Sequence, residues 1–153
     1  MELVLVMLVI CTILGMAAPS LTGWNRTSQL KDVASDFIST TRWARSQAAA
    51  DSLIYRLCFD PQTHSYRLLV QNGQEFVNSP AAMAQPIVLP DGFAIEIVRD
   101  ASAPAAEYIE FYPTGRIQPG RVRVLSDRGN VIEIVCATPT ENYHVISTDE
   151  NSR

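Results

Sequence analysis

The sequence predicts an α+β fold, a long N-terminal helix packed on an antiparallel β-sheet domain. Three observations carry that prediction. Residues 3–25 contain no charged side chain. Leu30, Val33, Phe37, Thr41, Ala44 and Ala48 then recur at spacings of three and four, the signature of one buried helix face. After Asp51 the apolar residues alternate with polar ones, and turn residues break the runs. A long helix followed by short strands with tight turns is the order expected when a sheet covers one side of the helix.

The helix is expected over about residues 1–50, in two halves. Residues 1–24 are apolar all round, and at about 1.5 Å per residue the uncharged run reaches roughly 34 Å, enough to cross a bilayer core. Glu2 stands at its mouth, where a carboxylate is costly unless it finds a partner. Pro19 removes a backbone hydrogen bond and is expected to kink the helix. Trp24 fits an anchor at the membrane–water boundary. Residues 25–50 form the amphipathic half, with Lys31, Asp32, Asp36, Arg42 and Arg45 mostly off the apolar face. Trp43 suits either the core or a subunit contact.

Residues 51–153 read as the strand-rich domain. Strands are expected at 53–59, 66–70, 87–89, 93–99, 108–112, 121–125, 131–136 and 143–146. Asp60-Pro61-Gln62-Thr63 joins the first two as a hairpin. Gln71-Asn72-Gly73-Gln74 turns again, and 78–85 reads as a loop of Ala, Pro and Ser. Pro90-Asp91-Gly92, Pro113-Thr114-Gly115 and Asp127-Arg128-Gly129-Asn130 punctuate the rest.

Composition narrows the function. With 12 basic and 16 acidic residues, one of them Glu2, the chain gives general nucleic-acid binding no support. His64 and His144 lie far apart, and no Cys or His cluster has ligand spacing, so neither a metal nor a cofactor is expected. No nucleophile elbow, phosphate loop or zinc-protease motif occurs, and no catalytic residue is expected. Cys11 sits inside the apolar run. An exported domain allows a Cys58–Cys136 disulfide, which would close a long loop and add on the order of 4 kcal/mol. The alternative is two buried free thiols.

The first 21 residues, from Met1-Glu2-Leu3-Val4-Leu5 through Ala17-Ala18-Pro19-Ser20-Leu21, resemble the N-terminus of type IV pilins and pseudopilins. Glu2 matches that family's glutamate, and Pro19 matches its helix-kinking proline. Phe111-Tyr112-Pro113-Thr114-Gly115-Arg116, ahead of the last hairpin, is similar to a stretch of the minor pseudopilin H and FimT branch. In the resembled family a basic leader is cut after a glycine and the new terminal residue is methylated. The resemblance implies that the leader and about three mature residues belong before Met1. As written, the nearest cations, Arg26 and Lys31, follow the apolar run, and a basic leader would reverse that orientation bias.

The resemblance implies a structural subunit of a type II secretion pseudopilus or a type IV pilus. It would be a single-pass inner-membrane protein with residues 51–153 in the periplasm. Its partners would be other pilins or pseudopilins, through their N-terminal helices, and the inner-membrane assembly platform. Glu2 would neutralise the terminal amine of a neighbouring subunit, and Pro19 would shape the helix for bundling. Some members of the branch bind DNA during uptake, which draws attention to Arg116, Arg121, Arg123 and Arg128 as DNA contacts. The competing reading of those arginines is a solvated sheet face paired with Glu107, Glu110 and Glu133. A membrane-anchored domain without a filament role is the third alternative.

Overall fold

In the computed structural model of the chain, the described residues are 2–79, 85–98 and 107–149, with side chains described at residues 7, 26–79, 85–98 and 107–146. A single helix, α1, runs from Glu2 to Asp51, 50 residues without a break at position 19. Nine strands follow among the described residues: β1 (Tyr55–Asp60), β2 (Ser65–Asn72), β3 (Glu75–Asn78), β4 (Ile87–Val88), β5 (Phe93–Val98), β6 (Tyr108–Phe111), β7 (Gly120–Ser126), β8 (Val131–Cys136) and β9 (His144–Asp149).

The strands form two antiparallel sheets. The first has the order β3-β2-β1-β6, with β4 also paired to β2. The second has the order β5-β7-β8-β9. Alternation along each strand decides its inner face. Tyr55 and Leu57 of β1, Tyr66, Leu68 and Val70 of β2, and Ile109 and Phe111 of β6 are buried. From the second sheet come Phe93, Val122, Val124, Ile132, Ile134 and Cys136.

The amphipathic half of α1 supplies the third wall of the core. Leu30, Val33, Phe37, Ala44 and Ala48 are buried, as the spacing of the apolar residues predicts, and Ala34 is buried beside them. Phe37 is fully buried, with ring centroids 6.0 Å from Phe59, 6.1 Å from Tyr66 and 6.0 Å from Tyr143. Thr40 and Thr41 share this face, and each turns its hydroxyl back onto the helix. Thr40 Oγ1 donates to Asp36 O at 2.9 Å and Thr41 Oγ1 to Ile38 O at 2.8 Å. Buried hydroxyls are thereby satisfied without interrupting the apolar contact.

The structure adds one strand and one division to the expected layout. β3 occupies residues that carry no strand signal, because its four residues are mostly exposed and show no alternation. Pairing holds it: Asn72 opposes Glu75 across Gly73 and Gln74, and Gly73 has a φ of 66° that favours glycine. The single sheet expected from periodicity is two, because alternation identifies strands but not which strands pair. Among the described residues no helix is long and apolar enough to cross a membrane. The side chains of the expected membrane-spanning half, Cys11 included, lie outside the described residues, Met7 apart.

Candidate functional site

Two surfaces of the domain could hold a partner. The first lies at the end of α1 farthest from Glu2. β6 ends at Phe111, and the chain reverses through Pro113 and Thr114, closed by Gly115 N donating to Tyr112 O at 2.9 Å and Tyr112 N to Arg116 O at 2.9 Å. Gly115 has a φ of 74°, which is why glycine stands there. The turn is clamped to the helix by Arg45. Its Nε donates to Gly115 O at 2.7 Å, its Nη1 to Asn142 Oδ1 at 2.8 Å and its Nη2 to Thr140 O at 3.0 Å. One guanidinium therefore fixes two loops from different parts of the chain. Beside it Tyr112, Pro113, Ile117, Pro119 and Pro139 line an open groove of about 500 Å³.

The outer face of the first sheet carries a second assembly of side chains. The Arg56 guanidinium lies 3.7 Å from the Phe76 ring centroid and 4.4 Å from that of Tyr108. Its Nε donates to Glu110 Oε1 at 2.8 Å, and Tyr112 Oη donates to Glu110 Oε2 at 2.7 Å. That hydrogen bond to Glu110 is the main cause of a raised Tyr112 pKa. Cys58 sits on the same face, since Tyr55 and Leu57 point inward from its strand. Burial pushes its thiol up, and the nearby Arg67 and Arg56 oppose the shift.

Cys136, by contrast, points into the core from the second sheet, and its Sγ donates to Thr138 O at 3.2 Å. Burial raises its pKa as well. The disulfide entertained from the sequence is therefore not formed: both cysteines are free. One faces outward from the first sheet and the other inward from the second.

The four arginines weighed as DNA contacts do not converge. Arg121 and Arg123 leave the same face of β7 and share Glu133, with Arg121 Nη1 3.5 Å from Oε2 and Arg123 Nε 2.8 Å from Oε1. Arg116 and Arg128 are exposed in the turns at opposite ends of β7. Glu2 and Pro19 have side chains outside the described residues. Among the described residues no group of three or more His, Cys, Asp or Glu side chains could hold a metal ion.

Three arginines that hold the domain together were not singled out from the sequence. Besides Arg45 and Arg56, Arg26 donates from Nη1 to Asp91 O at 3.0 Å and approaches Asp127 at 3.8 Å. Nothing in local pattern marks them, because their partners lie 54 to 101 residues away.

Residues 33–141 match the family described as type II transport protein GspH. This chain belongs to the GspH family. The matched stretch begins at a buried residue of α1, includes β1 to β8 and Arg45 with its acceptors Gly115 O and Thr140 O, and ends just before β9. The GspH-family chain is thus a type II secretion pseudopilus subunit. Two solved structures of the minor pseudopilin EpsH from the type II secretion system of Vibrio cholerae share its fold. One aligns with a TM-score of 0.64 at 11% identity, covering 78% of this chain and 97% of EpsH. The other gives 0.66 at 11% identity, covering 82% and 98%. No curated protein sequence matches the chain.

Proposed function

We propose that this chain is a minor pseudopilin that joins the pseudopilus through α1 and exposes its two-sheet domain to neighbouring subunits. The family match over residues 33–141 carries the reading. The 50-residue helix agrees with it, since about half of that length packs on the domain and the other half extends as a spine. In this reading the uncharged head anchors the chain in the inner membrane before assembly, and the strand domain stands in the periplasm. Glu2 pairs with the terminal amine of an adjacent subunit, which offsets the cost of burying its charge and sets axial register. Pro19 bends the spine for close bundling.

The subunit carries out no catalysis. Among its described ionisable groups, Arg45, Arg56 and Glu133 serve to hold the domain together. Pairing of Arg121 and Arg123 with one carboxylate supports a solvated sheet face rather than a DNA-binding surface.

Complementation tests the reading. A host strain lacking this gene should stop releasing its secreted hydrolases into the medium, and the intact gene should restore release. The same gene carrying Glu2→Ala should fail to restore it while its product still accumulates in the inner membrane. Normal secretion in the deletion strain would overturn the reading.

A further inference from the structure

Among the described strands, β9 is the edge that the domain leaves open. β3 carries Glu75 and β5 carries Glu96, and a charge on an edge strand discourages pairing with another chain. β4 is two residues long. The free side of β6 is occupied: Gln118 N donates to Glu110 O at 2.8 Å, and Glu110 N donates to Gln118 Oε1 at 3.2 Å. β9 pairs with β8 alone, and His144, Val145 and Ile146 at its start carry no carboxylate, ammonium or guanidinium. Ile134 pairs with Val145 and Glu133 with Ser147, so Ile146 is the extra residue of a bulge. Two successive apolar side chains stand uncovered there, Val145 at 44% exposure and Ile146 at 49%.

α1 turns the space beside this edge into a basic groove of about 430 Å³. Ala34, Ile38, Ile132 and Val145 supply its apolar lining, and Lys31 and Arg42 border it. Both cations are exposed, and neither forms an ion pair with a described residue. Eleven positions along the helix separate them, a rise of about 16 Å. A strand advances about 3.3 Å per residue, so about five steps of extended chain span the two cations.

Shape and charge together specify an occupant. The open edge suits an extended backbone, the cations suit a carboxylate near each end, and the lining suits an apolar side chain between them. Side chains on one face of a strand fall at every second position. Two carboxylates facing Lys31 and Arg42 therefore sit four positions apart, about 13 Å, within reach of the long cationic stems. A spacing of five would turn one of them to the opposite face. We propose that the groove between α1 and β9 binds an extended acidic segment of a partner polypeptide, added as a strand to β9. Its acidic residues are four positions apart, with an apolar residue midway. The binding needs only the strand domain and the amphipathic half of α1, whether or not the chain enters a pseudopilus.

Fluorescence anisotropy of a rhodamine-labelled peptide with the core Glu-Thr-Val-Thr-Glu tests the site, with the full chain in uncharged detergent micelles. The peptide should bind saturably at an ionic strength of roughly 0.05 M. Its Kd should rise at least about tenfold at roughly 0.5 M, because the cations are exposed. Replacing both of its glutamates by lysine should weaken binding at least about tenfold. Methylating its core backbone nitrogens should do the same, since the charges stay and the amides that pair with β9 are lost. Lys31→Glu/Arg42→Glu in the chain should weaken the acidic peptide by a similar factor and take up the lysine peptide instead. An unchanged urea midpoint for that variant separates lost binding from lost folding. Absence of saturable binding would overturn the proposal. So would an affinity indifferent to the peptide's charge, to its backbone methylation or to the double substitution. Intact secretion beside absent peptide binding would remove the site and leave the pseudopilus reading standing.

Discussion

Arg45 Nε and Gly115 O meet at 2.7 Å across 70 residues of sequence. The same guanidinium holds Thr140 O and Asn142 Oδ1, so α1 carries the two loops that flank the groove beside Tyr112. Arg45→Ala leaves these acceptors to water and frees both loops. It is expected to cost about 2 kcal/mol of unfolding free energy, the scale for charge-assisted hydrogen bonds. Arg45→Lys should recover only part of this, since an ammonium lacks the planar fork. Urea unfolding of the detergent-solubilised chain, followed by Trp43 fluorescence, measures both. Trp43 packs against the core and reports its loss.

Gly115 isolates a conformational effect from a packing effect. A Cβ at this position meets no atom within 4 Å, yet its φ is 74°. Gly115→Ala should therefore destabilise through backbone strain alone, by about 1 kcal/mol. Gly115→Asn should cost less, because asparagine tolerates the left-handed region. Equal unfolding midpoints for Gly115→Ala and the unaltered chain would refute the assignment.

Phe37 is the residue on which helix and sheets converge, with three aromatic rings about it at 6.0 to 6.1 Å. Truncation to alanine empties the centre of the core and is expected to cost about 3–5 kcal/mol. Phe37→Leu should cost markedly less by refilling most of the volume. The same urea titration separates them, and the loss should appear in the midpoint with little change in slope.

The residues that the sequence places well are those governed by local period. The buried face of α1 follows from the three-and-four spacing, and β8 spans the residues that alternation assigns to it. β3 escaped because four mostly exposed residues carry no period, and its pairing with β2 is a tertiary fact. The arginine clamps escaped for a related reason: an arginine looks alike in sequence whether it meets water or a carbonyl 95 residues away. The disulfide failed on direction. Both cysteines lie in strands, but the face each occupies depends on which sheet it joins. In the surface chemistry, Arg121 and Arg123 were placed together on one strand face by alternation, and their shared carboxylate, Glu133, is supplied by the neighbouring strand β8.

The junction of α1 with β1 gives the chain an alkaline limit. Ser52 reverses the backbone with a φ of 56°, and three residues later Tyr55 Oη donates to Asp51 Oδ2 at 2.5 Å. Burial of the ring, followed by the bond to Asp51, pushes the tyrosine pKa up to about 12 from 10.0. Asp51 is correspondingly lowered by its bonds to Tyr55 and Gln47. A folded pKa above the unfolded one means that the stabilisation is complete below pH 10.0 and is lost as pH rises towards about 12. Over that window the unfolded state loses the Tyr55 proton first, and stability falls by an amount on the order of 2 kcal/mol. Tyr55→Phe removes the titrating hydroxyl while keeping the buried ring. It should lower stability at neutral pH by about 1 kcal/mol for the lost hydrogen bond. Its stability should then decline less steeply between pH 10 and 12 than that of the unaltered chain. Urea midpoints at pH 8, 10 and 11 decide the matter, and parallel declines for the two proteins would exclude Tyr55 as the group responsible.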